Sequence, residues 1–370
     1  MGVRRTVVTT QARQRWAVVL AVAAVLCSLP ALAGLRPVRA AEVDLATLRE
    51  RIAGSGRQAH EGYALSSGLL PLPALPDLEQ VTALVSGTTE LRTWYAAPDR
   101  WRVDVVDEAA ERDLYQTPGG QYAWDYGRNQ LTRIVGEQPV RLPRGADVTP
   151  PALGRLLLGL AAGDRFTALA ARRVAGVAAA GLRIVPATAQ TTVAHVDVWA
   201  DPGSGLPLQV EITARGGARP VFVTRFLELR LGAPDAAVLT PPAPTGGMGF
   251  TETDTSDLLG VIDRFGTGGL PERLAGSARR ATPVAAAGAY GSGLAQFVVV
   301  ALPGGLGFRS YGRLSAFGQA VPVPAGEATI LSTGLVTVLA VRADRTYLVA
   351  GLVQPALLRG VATDLARGAP

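Results

Sequence analysis

The spacing of apolar residues along this chain changes repeatedly, and each change predicts an element. Between residues 42 and 60, Val43, Leu45, Leu48 and Ile52 recur at helical spacing with Asp44 near the start, which predicts a short amphipathic helix. Ser66 to Asp77 carries Pro71, Pro73 and Pro76 and reads as a loop. From Val81 to Ile134 the period becomes two. Val81, Ala83 and Val85 alternate with Thr82, Leu84 and Ser86; Trp101, Val103 and Val105 with Arg102 and Asp104; Tyr122, Trp124 and Tyr126 with Ala123 and Asp125. Turn sequences separate these runs, as at Ala97-Pro98-Asp99 and Thr117-Pro118-Gly119-Gly120. The expectation is an antiparallel meander with one apolar face, shared by Trp101, Tyr122 and Trp124.

Residues 149–173 return to helical spacing, with Thr149-Pro150-Pro151 as a start and Leu153, Leu156, Leu157 and Leu160 along one side. Strands are then expected at 171–177, 181–186, 194–200, 207–213 and 221–231. Thr240 to Gly249 is rich in proline and glycine, so 241–280 reads as a linker region between a domain at 41–240 and a smaller one at 281–367. The smaller unit is expected to be α+β, with strands at 296–302, 307–311, 327–332, 335–342 and 345–349 and a helix at 354–365.

The N-terminus changes how the charge is read. Arg4, Arg5, Arg13 and Arg15 precede an apolar run from Ala17 to Leu29, and Val38-Arg39-Ala40 offers small residues before a cleavage point at Ala41. Residues 1–40 therefore read as a secretory signal, with a single membrane anchor as the alternative, and the rest as extracytoplasmic. The formal charge of +6 is matched by the six arginines of that segment, where no acid occurs; beyond it, 30 arginines meet 30 acids. A basic face for nucleic acid is not implied. The only cysteine, Cys27, lies in the apolar run, and large Leu26 before it departs from a lipoprotein signal.

Reactive chemistry is sparse. The chain has no lysine, which excludes a Walker loop and Schiff-base chemistry. Its two histidines, His60 and His195, with no cysteine after residue 40, do not make a zinc set. No Gly-x-Ser-x-Gly elbow occurs. His195 reads as a strand residue and His60 as a surface residue at a helix end. The acids Asp107, Glu108, Glu111 and Asp113 read as a solvated hairpin connection. No catalytic residue, metal or cofactor is assigned.

Tyr95-Ala-Ala-Pro98-Asp99-Arg100-Trp101-Arg102-Val103-Asp104, then Tyr122-Ala-Trp124-Asp-Tyr-Gly127, then Asp201-Pro202-Gly203-Ser204-Gly205-Leu206-Pro207-Leu208 form a succession of strands and turns. In that order they resemble the LolA/LolB-like superfamily, and within it the domain of the sigma-E regulators of the RseB (MucB) type, over residues 42–240. The resemblance implies an incomplete antiparallel β-barrel closed by helices, whose apolar concave face binds acyl chains of lipids or lipoproteins. Val81, Val85, Trp101, Val103, Tyr122, Trp124 and Val198 are the candidate lining residues of that face, although each can equally be core. It further implies, for regulators of this type, binding of the extracytoplasmic domain of an anti-sigma factor at the membrane. A lipid or lipoprotein carrier and such a regulator both remain open at this point, with a cell-wall factor as a third class. The extra C-terminal unit favours the regulator.

Overall fold

The computed structural model describes residues 19–20, 38, 42–70, 79–106, 111–136, 143–254, 269–280, 282 and 286–368. The predicted signal or anchor segment lies almost wholly outside them. From residue 40 onward the chain forms one unit. Helix α1 (Leu45–Gly54) starts where the spacing places it: the Asp44 side chain accepts a hydrogen bond from the Thr47 N–H at 3.0 Å, and Leu48 and Ile52 are buried. A 3-10 turn at Ser55–Arg57 leads into β1 (His60–Gly68), helix α2 (Glu79–Ser86) and the strands β2 (Thr88–Ala97), β3 (Arg100–Val106), β4 (Glu111–Thr117), β5 (Gly120–Asp125) and β6 (Gln130–Val135). Helix α3 (Pro150–Leu160) precedes β7 (Arg165–Val174), β8 (Val177–Val185), β9 (Val193–Ala200), β10 (Pro207–Ala214), β11 (Phe222–Leu231) and β12 (Gly249–Asp254).

These twelve strands form one sheet in the order β12-β6-β5-β4-β3-β2-β1-β11-β10-β9-β8-β7. All neighbours are antiparallel except β12, which runs parallel to β6. The end strands β12 and β7 are not paired with each other, so the sheet does not close into a barrel. Two meanders, β2–β6 and β7–β11, meet at β1, which pairs with β2 on one side and β11 on the other.

One face of this sheet is covered by the helices. Leu48 and Ile52 of α1 and Leu157 of α3 share a single buried cluster with Ala64, Leu91, Val103, Leu182, Val198, Val210 and Phe226. The approach is close enough to fix residue type. A Cβ on Gly154 of α3 would lie 2.8 Å from Pro207 Cβ, and one on Gly68 would run into the backbone of Val85 in α2.

A second sheet has eight strands in the order β13-β14-β15-β16-β20-β19-β18-β17, namely Arg273–Leu274, Ser277–Arg280, Ala287–Tyr290, Phe297–Leu302, Thr346–Gly351, Thr337–Arg342, Glu327–Ser332 and Gln319–Val321. Helix α4 (Gly304–Ser315) and helix α5 (Pro355–Ala366) pack on opposite faces of it. The two sheets are joined by main-chain bonds, Thr192 N–H to Leu352 O at 3.1 Å and Gln354 N–H to Gln190 O at 2.7 Å. The Asp164 carboxylate adds to the seam by accepting from the Leu294 N–H at 3.0 Å and the Ala187 N–H at 2.9 Å.

Several elements differ from expectation. Val81–Ser86 is helix, not strand: Val81, Leu84 and Val85 also fit spacings of three and four, and Gly87 stops the turn. Residues 307–311 lie inside helix α4, where Gly307 and Leu314, seven residues apart, face the sheet. The helical stretch at 149–173 ends at Leu160, because the chain turns at Ala161–Asp164 and β7 begins at Arg165. His60 is buried, not on the surface, because the helix ends early and β1 carries its ring into the core. Part of the expected linker, 249–254, is strand β12.

Truncating Ile52 to Ala is expected to cost about 2–5 kcal/mol, because it removes one of the fully buried side chains that fill the sheet's covered face. Urea denaturation of the chain from Ala41 onward measures it, and a loss under about 1 kcal/mol would mean that α1 does not seal that face.

Candidate functional site

Side chains of directly paired residues point to the same face of a sheet. Trp101 pairs with Tyr95 and Gln116, and Val103 with Thr93 and Leu114. Both lie on the helix-covered face, as does Val198, which pairs with Val210 and Leu182. Val103 is 6% exposed and Val198 1%, so both are core. Tyr122 and Trp124 pair with Tyr115 and Asp113, and through them align with Arg102 and Asp104. They therefore lie on the opposite face from Trp101, so the expected sharing of one face by the three aromatics does not hold. The alternation within each strand is as read. The phase between strands is set by the hairpins, such as the tight Thr117–Gly120 turn between β4 and β5, and aromatic residues occur on both faces. Val85 lies on α2 and packs against the covered core, while the Val81 side chain lies outside the described residues.

The other face, which no described helix covers across β2, β1 and β11, carries a different set. A groove of about 550 Å³ crosses β2, β1 and β11, lined by Glu61, Tyr63, Glu90, Arg92, Trp94, Glu228 and Arg230 with the backbone of Gly62 and Leu229. Arg230 Nε bonds Glu61 Oε1 at 2.7 Å, which holds that carboxyl below its ordinary value, and Tyr63 is hydrogen-bonded to Glu90, which raises the phenol. Sequence reading singled out none of these residues. The signal was present in Glu90-x-Arg92-x-Trp94 and Glu228-x-Arg230, whose period of two puts every member on one face.

Further along the same face the charges become buried. Arg102 lies 5.0 Å from the rings of both Trp94 and Tyr115. Its Nε meets Asp104 Oδ1 at 2.6 Å, and its Nη2 meets Asp104 Oδ2 at 2.8 Å and Asp113 Oδ2 at 2.9 Å. Tyr115 donates to Asp113 Oδ2 at 3.2 Å. Asp104 and Asp113 are 1% and 2% exposed, so one guanidinium faces two carboxyls out of water. Burial, and then the charge of Asp104, push Asp113 up to about 7; burial raises Asp104 as well. Glu111 brings a third carboxyl within 4.8 Å of these two. Arg102 already supplies the positive charge a cation would bring, so the trio reads as an ion-pair cluster and not a metal centre. The acids of the β3–β4 hairpin thus do not form a merely solvated connection; Asp107 and Glu108 lie outside the described residues.

No family model matches the chain, and no curated protein matches it. Solved structures do resemble it. The MucA/MucB complex of Pseudomonas aeruginosa matches with a TM-score of 0.49 and 18% identity over 87% of this chain and 98% of that one. MucB in complex with MucA(peri) matches at 0.47 and 19%, over 86% and 97%. A LolA superfamily protein from Nitrosomonas europaea matches at 0.22 and 11%, over 54% of this chain and 99% of that one. These are the groups that the strand and turn succession of residues 95–208 resembles.

The buried acids give a pH signature. Asp113 ionises near 3.8 in an unfolded chain but keeps its proton to about 7 when folded. Its contribution is therefore complete below about pH 4 and is lost as pH rises toward 7. Asp113→Asn is expected to flatten that decline, so that the variant gains on the parent from pH 4 to 7 in urea titrations. Parallel curves for the two would mean that Asp113 is ionised in the fold.

Proposed function

We propose that this chain is an exported binding protein of the regulatory kind, which holds an extended segment of an anti-sigma factor's extracytoplasmic domain on the open face of its large sheet. The observation that carries the reading is the division of labour between the two faces. The helix-covered face is filled by the chain's own Leu48, Ile52 and Leu157, whereas the open face presents a groove with charges of both signs beside Trp94 and Tyr63.

The composition of the groove decides between partner classes. An acyl chain gains about 0.8 kcal/mol for each CH2 it buries against apolar walls. Here it would strip water from Glu61, Glu90, Arg92, Glu228 and Arg230 without replacing their hydrogen bonds, which opposes entry. A polypeptide brings donors, acceptors and charges of its own. Three glutamates against two arginines favour a segment with a basic excess. The class of partner, an anti-sigma ectodomain, comes from the sequence resemblance to regulators of the RseB type. The alternative, a lipid or lipoprotein carrier, requires α1 and α3 to leave the sheet and expose that core.

Binding of an anti-sigma ectodomain to the chain from Ala41 onward, followed by calorimetry and by Trp fluorescence, tests the reading. E90Q combined with E228R, which reverses the acid excess of the groove, is expected to weaken binding at least tenfold with the fold intact by circular dichroism. Unchanged affinity, or ready uptake of a fluorescent fatty acid by the unmodified protein, would turn the assignment toward the carrier.

A further inference from the structure

The charges of the groove stand in two rows, set by strand register. In one row Trp94 of β2 faces Glu61 of β1, which faces Arg230 of β11. In the other, Arg92 faces Tyr63, which faces Glu228. The first row is matched within the chain, since Arg230 Nε bonds Glu61 Oε1 at 2.7 Å. The second is not. Arg92 and Glu228 are exposed, and neither forms an ion pair among the described residues. The acid opposite Arg92 on its far side is Asp104, and Arg102 takes both of its carboxylate oxygens. The Tyr63 phenol, hydrogen-bonded to Glu90, also feels the charges of both Arg92 and Glu228. An open pair of opposite charges therefore flanks Tyr63, with Trp94 diagonally beside it.

The register also gives the interval. Neighbouring strands lie about 4.8 Å apart, so residues two strands apart in one row are separated by about 10 Å. A guest spanning Arg92 and Glu228 lies across the strands. Their main-chain groups are already bonded in the β2-β1 and β1-β11 ladders, so the guest does not add as a further strand. It is held by side chains and keeps its own backbone in water. The polyproline II conformation meets both conditions. It rises about 3.1 Å per residue and turns once in three residues, which puts side chains three apart on one side at about 9 Å. Aromatic-lined grooves are what proline-rich segments in this conformation dock on, and Tyr63 and Trp94 supply the rings.

Resting on the reading of this groove as a polypeptide site, we propose that its occupant is a polyproline II segment with one acidic and one basic side chain three residues apart. The acid meets Arg92, the base meets Glu228, and proline rings between them lie against Tyr63 and Trp94.

Blocked synthetic peptides test this on the chain from Ala41 onward, by calorimetry and Trp fluorescence at low ionic strength. The first is Pro-Pro-Glu-Pro-Pro-Arg-Pro-Pro, the second exchanges its Glu and Arg, the third places Glu and Arg side by side, and the fourth carries Gln at both positions. Either spaced order counts, because the segment can enter from β2 or from β11. The better of the two is expected to bind at least fivefold more tightly than the adjacent and Gln peptides. Arg92→Glu is expected to weaken that peptide at least threefold and to be rescued when the peptide's Glu is replaced by Arg. Glu228→Arg is expected to be rescued when the peptide's Arg is replaced by Glu. No binding, equal binding of all the peptides, or losses that no peptide rescues would overturn the inference. Should a variant not fold, the peptide comparison on the unmodified protein decides it. An anti-sigma ectodomain that binds and responds to E90Q with E228R, while the peptides do not discriminate, sinks this inference alone; loss of both results sinks the reading beneath it.

Discussion

Everything else in the large sheet depends on how closely two helices can lie on it. A sheet of this width must cover one face with apolar side chains or expose it to water. Here α1 and α3 do the covering from within the chain, and the contact is tight enough that Gly154 meets Pro207 with no room for a side chain. Once that face is filled, recognition has to occur elsewhere. The groove described above follows from this. It lies on the other face, across β2, β1 and β11.

The strand alternation was legible because it comes from one constraint, the pleat. Val103 and Val198 read as inward-facing and are buried. What alternation cannot supply is phase across a hairpin. Trp101 and Trp124 each follow the rule in their own strand and still end on opposite faces, because β3, β4 and β5 carry large apolar groups on both sides. Short apolar runs were ambiguous for a related reason. Val81 and Val85, four residues apart, satisfy both periods, and the helix that forms packs closely on Gly68.

The candidate site was less legible than the fold. The groove is assembled from β1, β2 and β11, which are far apart in sequence, and its charged members look like ordinary solvent-side positions in each strand. The acids of β3 and β4 read as a hairpin connection because nothing local shows that Arg102 gathers Asp104 and Asp113 beneath two aromatic rings.

Strand β12 gives the segment between the two sheets an architectural role. After β11 the chain crosses the molecule and lies along β6, the far rim of the first meander, before entering the second sheet. A fragment ending near residue 240 would therefore lose more than an appendage. It would leave the β6 backbone as a bare selvage, with donors and acceptors open to any foreign strand, so the two halves are poor candidates for dissection into independent modules.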